Sequence, residues 1–192
     1  MELQHLNVKL FLKNSKPIDW EGIVPLFHSW IQEQGDDGLL IDVADYRHVF
    51  GGPVVVLVGL EEDYSLDNAG NRPGIRYNRK AILLGTNQDR LKQALRAALL
   101  AALRLESDAR LKGTVRFNRQ EFEISANDRL LVPHTLESYV QLEPEVAAFL
   151  RGLTDGRPVT TERGRDVRSV LTLNVRSPVP LDPNELLTRL QP

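Results

Sequence analysis

The first forty residues change from one hydrophobic period to another. Residues 6–12 (LNVKLFL) carry apolar side chains at every second position, which is the period of a half-buried β-strand. Residues 23–31 place apolar side chains three and four positions apart, as on the buried side of a helix. Because proline is tolerated only near the start of a helix, Pro25 predicts that this helix begins between Gly22 and Val24.

Three strands are predicted to follow this helix. Apolar runs at 40–49 and 54–64 are separated by a Gly-Gly pair at 51–52, and such short turns join antiparallel strands. The third run, at 74–84, comes after a loop at 65–73 that is rich in turn-forming residues. We therefore expect three neighbouring strands in this part of the chain.

The longest helical pattern lies in the middle of the sequence. Thr86 is suited to the N-cap position, and Asp89 would then lie in the first turn, near the positive end of the helix dipole. The many alanines of this segment favour a helix and allow it to pack closely on a sheet. Four leucines form the predicted buried stripe, namely Leu91, Leu95, Leu99 and Leu103.

The second half again mixes strands and helices. Residues 114–117 and 121–126 have the pattern of two strands, and a helix with Pro144 in its first turn follows them. Residues 159–175 have the pattern of a hairpin or of two consecutive strands, and Asp182 would cap a final helix. The helix after Pro144 is predicted to bury Val146, Phe149, Leu150 and Leu153.

The predicted order is β-α-β-β-β-α followed by β-β-α-β-β-α. This order favours an α+β fold, with a mainly antiparallel sheet and helices packed on one side. We interpret residues 1–192 as a single domain, and the alternative is two tightly joined halves with a boundary near 107–113. The segment RYNRK at 76–80 resembles RFNRQ at 116–120, but different elements are predicted after them, which favours coincidence over duplication.

Composition excludes several classes of protein. Of the 192 residues 42% are hydrophobic and 26% are charged, as in globular rather than disordered chains. The net charge of −2 gives no overall attraction to nucleic acid, and no apolar run is long enough to span a membrane as a helix. The lack of cysteine excludes disulfides, thiolate zinc sites and cysteine nucleophiles. No metal or cofactor motif is present, and we expect a soluble cytoplasmic protein.

The predicted hairpin raises an electrostatic question. With a turn at the Gly-Gly pair, Asp42 lies opposite Glu61, and Asp63 extends the same face. Directly opposed side chains have Cβ atoms about 5 Å apart, so two carboxylates there are destabilising unless a cation compensates them. The next strand supplies Arg76 and Lys80 as candidate cations.

Two interpretations of this charged face stay open. The first is a solvated ladder of cross-strand ion pairs, each of which contributes little to stability. The second is a binding face for a small charged ligand or a metal ion, because carboxylates can accept hydrogen bonds or bind a cation and an arginine can hold an anionic group. The candidate residues of this face are Asp42, Glu61, Asp63, Arg76 and Lys80.

The hairpin predicted at 159–175 carries a second charged segment. Its tip is suited to contact with a phosphate or an acidic partner, but it has no interleaved aromatic residues for base stacking, so nucleic acid is a poor candidate. The candidate basic residues of this tip are Arg163, Arg165 and Arg168.

No signature of a nucleophile, a metal site or a cofactor site is found in the sequence. The leading hypothesis is therefore a non-enzymatic binding or assembly module whose partner is another protein or a second copy of the chain. The alternative is a small-molecule-binding protein or an enzyme that uses the charged sheet face.

Overall fold

Eight strands and four helices make up this computed structural model, which describes residues 1–13, 20–34, 38–49, 53–111 and 113–191. The strands are β1 (Leu6–Leu12), β2 (Leu40–Asp45), β3 (Pro53–Gly59), β4 (Glu62–Asp67), β5 (Gly74–Arg79), β6 (Phe117–Ala126), β7 (Thr160–Arg163) and β8 (Leu171–Arg176). The helices are α1 (Ile23–Gln32), α2 (Asn87–Ser107), α3 (Leu136–Leu153) and α4 (Pro183–Arg189). Within the described ranges, no helix has the length and apolar character needed to cross a membrane.

The strands form one antiparallel sheet in the order β2-β3-β4-β5-β1-β6-β8-β7. The first three helices lie against it: α1 on β2 and β3, α2 on β1 and β5, and α3 on β7 and β8, while α4 contacts α2. The predicted α+β fold, with a mainly antiparallel sheet and helices packed on one side, is confirmed. We call the side that the helices cover the helix face and the opposite side the open face.

The helix face of the sheet forms the centre of the apolar core. Val8, Tyr77 and Ile124 are cross-strand neighbours on β1, β5 and β6, and all three are fully buried. α2 covers these strands with the predicted stripe, of which Leu91, Leu95 and Leu99 are buried and Leu103 is half-buried.

The start of α2 also follows the prediction. Thr86 is the N-cap, its hydroxyl accepts a hydrogen bond from the backbone N–H of Asp89, and the Asp89 carboxylate accepts one from the backbone N–H of Thr86. This reciprocal arrangement satisfies two donors that the helix itself leaves without a partner.

Two of the strand predictions are wrong, and their errors cancel in the strand count. The run at 54–64 contains a chain reversal at Leu60 and Glu61, which separates β3 from β4. The runs at 114–117 and 121–126 instead give a single strand, β6, which begins at Phe117, the last residue of the first run, and continues to Ala126.

The bounds of β5 and α3 also differ from the prediction. The chain leaves the sheet after Arg79 rather than after residue 84. α3 begins eight residues before Pro144, because Thr135 caps it by accepting a hydrogen bond from the backbone N–H of Ser138 at 3.1 Å. Pro144 therefore lies inside the helix, although the predicted stripe that follows it is buried.

The carboxy-terminal elements agree with the prediction. β7 and β8 form an antiparallel hairpin, and α4 begins after Asp182, whose carboxylate accepts hydrogen bonds from the backbone N–H groups of Asn184 and Glu185.

The predicted register between β2 and β3 is wrong by three residues. Asp42 lies opposite Val58, and Val43 lies opposite Leu57, which is fully buried under the helices. In the predicted register Val43 would have faced Leu60, whose surface is 62% exposed. Burial of the apolar residues therefore decides the pairing. The Gly-Gly turn predicted between the two strands lies outside the described residues.

Candidate functional site

The predicted charged face is not assembled as expected. Asp42 projects from β2 on the open face, in the cross-strand row that continues through Val58 to Asp63. Glu61 belongs to the tight turn between β3 and β4 and lies opposite no residue of β2. The repulsive pair of Asp42 and Glu61 that the sequence predicted is thus absent from the described sheet.

Each of the other predicted charges has a partner of opposite sign. Lys80 Nζ lies 2.7 Å from Oδ1 of Asp63, and it also donates to the carbonyl oxygen of Gly59. Glu61 pairs with Arg79 at 2.9 Å. Of the five candidate residues, Asp63 and Lys80 are therefore brought together as an ion pair, and the backbone N–H of Lys80 donates to the carbonyl oxygen of Glu61.

Arg76 belongs to a buried ion cluster that the sequence did not reveal. Its Nε lies 2.6 Å from Oδ2 of Asp67, and Lys9 Nζ lies 2.7 Å from Oδ1 of the same carboxylate. Lys9 and Asp67 are only 2% and 4% exposed, although they lie on the open face of the sheet. A visible signal was Lys9 itself, a charged residue between apolar neighbours in the middle of β1.

Burial and the neighbouring charges shift the pKa values of this cluster in opposite directions. Burial favours the neutral form of Asp67, but Arg76 and Lys9 outweigh it and hold the pKa of its carboxyl below the usual value. Burial lowers the pKa of Lys9, although Asp67 opposes that shift. Glu123, the cross-strand neighbour of Lys9, has a pKa raised by burial and partly restored by Lys9 and Arg76. The two cations of the cluster are matched by two carboxyl groups, which is typical of a structural network.

A cleft of about 400 Å³ opens on the helix face between α1, α2 and the adjoining ends of β2 and β4. Its polar lining includes Glu62, which accepts hydrogen bonds from the hydroxyls of Tyr64 at 2.9 Å and Tyr77 at 2.7 Å. Gln93 of α2 donates to the hydroxyl of Tyr77 at 2.7 Å, and Arg79 reaches Glu62 at 3.4 Å. Glu61, a candidate residue predicted from the sequence, lines this cleft, but the cleft itself was not predicted.

The two tyrosines of this network act as hydrogen-bond donors. Burial, reinforced by the negative charge of Glu62, raises the pKa of both Tyr64 and Tyr77. Both hydroxyls therefore stay protonated at neutral pH and cannot serve as bases. Their protons are already committed to Glu62, so this group of residues fixes the wall of the cleft.

A third feature lies at one end of the sheet. Two segments contact each other there: Nε2 of His134 is 3.0 Å from the carbonyl oxygen of Gly164, and Arg129 donates to the carbonyl oxygen of Arg168 at 2.8 Å. The segments carry five large apolar side chains that are each 59% exposed or more. We call these five the apolar patch: Leu130 (91%), Leu131 (60%), Leu136 (63%), Val140 (60%) and Val167 (59%).

The basic residues predicted at the hairpin tip all belong to the second of these segments, from the end of β7 towards β8. Arg168 pairs with Asp166 at 3.0 Å. Within the described part of the chain, Arg163 and Arg165 make no ion pair or hydrogen bond through their side chains. The charges of this surface were therefore predicted from the sequence, but their position beside the exposed leucines was not.

In the described ranges no three histidine, aspartate or glutamate side chains are grouped in a way that could hold a metal ion. No protein-family model matches this chain, and no curated protein sequence matches it significantly.

Proposed function

We propose that this protein is a non-enzymatic binding module whose apolar patch docks another protein. The single observation behind the proposal is the position of the exposed apolar residues. Among the described residues, every large apolar side chain that is 59% exposed or more lies at the same end of the sheet. These are the five residues of the apolar patch together with Leu60, Ile82 and Leu84.

The burial of such a surface supplies the driving force for docking. Isolated exposed leucines are ordinary, but a contiguous group of them is typical of an interaction site. Leu130 and Leu131 lie in a turn that is held from within, because the Asp128 carboxylate accepts hydrogen bonds from both of their backbone N–H groups at 3.1 Å. The two side chains are thus presented on a fixed backbone, which limits the entropy lost on binding.

Charge favours a different protein over a second copy of the chain. Arg163 and Arg165 adjoin the apolar patch and have no counter-charge among the residues that the structure describes. In a symmetric dimer that uses one patch twice, the arginines of both copies would be brought together and would repel each other. A partner with apolar side chains surrounded by carboxylates fits both the leucines and the arginines.

Site-specific photo-crosslinking in cells of the source organism tests this proposal. A photoreactive amino acid at position 130 should give a covalent adduct with another polypeptide. The same amino acid at Val179, which is also exposed but lies at the opposite end of the sheet, is the matched control. Mass spectrometry of the adduct should place the contact in a partner segment that carries both apolar and acidic residues.

Charge reversal tests the role of the arginines in the same assay. The double substitution Arg163→Glu and Arg165→Glu should reduce the yield of the adduct at position 130, because the acidic partner then meets like charges. An adduct made of two copies of this chain, or equal adduct yields at positions 130 and 179, would contradict the proposal.

A further inference from the structure

We infer that the cleft between α1 and α2 binds a small amphiphilic carboxylate, which has one negative charge on an apolar, flat body. This inference goes beyond the proposed function, because the cleft and the apolar patch share no residue. It rests on the shape of the cleft and on two of its groups that have no partner among the described residues, a cation and a buried hydrogen-bond donor.

One face of α2 shapes the cleft. Gln93, Ala97, Ala101 and Arg104 recur at intervals of three or four residues along its lining, so they follow a single side of the helix for three turns. Alanine at two successive turns leaves space where larger side chains would close the gap to α1. The resulting volume of about 400 Å³ is in the range of pockets that bind small molecules.

The apolar part of the lining suits a flat ligand body. The apolar surface of the cleft is supplied in part by Trp30 of α1, Leu40 of β2 and Leu100 of α2. Trp30 is 3% exposed, and its Nε1–H is buried without an acceptor in the described structure. A buried donor without a partner is unfavourable, so a ligand oxygen that reaches it would gain a hydrogen bond that the free protein lacks.

Three arginines line the cleft, but two of them are already engaged. Arg79 pairs with Glu61 and Glu62. Arg104 pairs with Glu33 at 2.8 Å and stacks over the ring of Trp30, with its Cζ atom 4.4 Å from the ring centroid.

The third arginine, Arg96, is exposed and makes no ion pair or hydrogen bond with any described residue. An arginine in this position can take both oxygens of a carboxylate through its planar fork.

The charge balance favours one negative charge over two. Among the described lining residues, Arg79 and Arg104 are already held by the three carboxylates of Glu33, Glu61 and Glu62, so Arg96 is the cation left for a ligand. A singly charged ligand is therefore matched by Arg96, whereas the second charge of a phosphate monoester would be repelled by the three glutamates.

Isothermal titration with three probes that share one body tests this inference. The probes are 2-naphthoate with one charge, 2-naphthyl phosphate with about two charges near neutral pH, and the uncharged 2-naphthamide. We expect 2-naphthoate to bind more tightly than either of the other two. Arg96→Gln should weaken the binding of 2-naphthoate about ten- to hundredfold, since one charge-assisted contact is lost, and should leave the binding of 2-naphthamide unchanged.

Lys92→Gln is the matched control, because Lys92 is an exposed cation on the same helix, outside the lining of the cleft. It should leave the affinity for 2-naphthoate unchanged. Ala97→Phe should abolish binding of all three probes by filling the cleft, with circular dichroism as the check on folding. The inference is overturned if 2-naphthoate binds no more tightly than 2-naphthamide, if Arg96→Gln behaves like Lys92→Gln, or if no probe binds.

Discussion

At the scale of single residues, the carboxylate of Asp67 joins the two cations of the buried ion cluster. It accepts hydrogen bonds from Lys9 Nζ at 2.7 Å and from the backbone N–H of Ala69 at 2.8 Å, and it contacts Arg76. Burial of an ion pair carries a large desolvation penalty, which is offset only when the charges stay together. The geometry meets that condition. Removal of one charge should therefore destabilise the fold more than replacement of the whole cluster by apolar side chains.

Asp67→Asn should therefore lower the free energy of unfolding by about 3–5 kcal/mol, because Lys9 and Arg76 lose their counter-charge in a buried position. Asp63→Asn is the matched control: its partner Lys80 has a side chain that is 35% exposed, and the loss should stay below about 1 kcal/mol. Urea unfolding curves of the two variants measure the difference. Equal losses would show that the Asp67 cluster is screened by solvent.

The stability difference between the wild type and Asp67→Asn should also depend on pH. The pKa of Asp67 is lower in the folded protein than its ordinary value of 3.8. The stability that the ionised Asp67 contributes is therefore complete above the pKa that this carboxyl has in the unfolded chain. It is lost as the pH falls through the lower pKa of Asp67 in the folded protein. The stability gap between the wild type and Asp67→Asn should be largest near about pH 7 and should shrink below about pH 4. A gap that does not change with pH would contradict the assignment of the stabilisation to the ionised carboxylate.

At the scale of elements, helices were predicted better than strands because their signals are local. α2 carries its cap, its first-turn acid and its apolar stripe within one stretch of sequence, and α4 has the cap that was expected. Strand pairing depends on residues that are far apart in the chain. The reversal after β3 was missed even though Gly59 marks it: a Cβ atom there would lie 2.5 Å from the carbonyl oxygen of Glu62, so this tight turn requires glycine.

The prediction of the charged face was wrong for the same reason, because it depended on the pairing of strands. Placement of Asp42 required the register of β2, and that register required the loop length, which the Gly-Gly pair alone does not determine. Asp45 ends β2 early, since its carboxylate accepts a hydrogen bond from the backbone N–H of Arg47 at 3.0 Å, and the chain turns there. The ion pair of Asp63 and Lys80 was within reach of the prediction because β4 and β5 are adjacent in both the sequence and the sheet.

The buried side of α2 should contribute strongly to the stability of the fold. Leu95→Ala should lower the free energy of unfolding by about 2–5 kcal/mol, because Leu95 is 1% exposed and its removal leaves a cavity against the sheet. Leu100→Ala, the same substitution on the same helix, is the control: Leu100 is 41% exposed, and the loss should stay below about 1 kcal/mol. Denaturant melts of both variants decide the matter, and similar losses would mean that α2 does not rest on the sheet through this stripe.

At the scale of the whole molecule, the sheet joins the two halves of the sequence. β1 lies in the middle, between β5 of the first half and β6 of the second, and one continuous core cluster extends from Leu3 to Leu190. The sequence could not reveal this order, because the choice of β6 as the neighbour of β1 depends on contacts over more than a hundred residues. The order nevertheless gives a physical reason to expect the single domain that the sequence favoured over two halves divided near 107–113.

A mutation in one half, observed by a probe in the other, tests this expectation. Both tryptophans, Trp20 and Trp30, lie in the first half, whereas Leu173 lies fully buried in β8. Leu173→Ala should lower stability by about 2–5 kcal/mol through the cavity that it leaves. If the chain unfolds as one cooperative unit, the denaturation midpoint of tryptophan fluorescence should fall as far as that of the far-ultraviolet ellipticity. If the halves unfold independently, the tryptophans report on a half that the mutation leaves intact. The fluorescence midpoint should then stay at its wild-type value, and only part of the ellipticity transition should move.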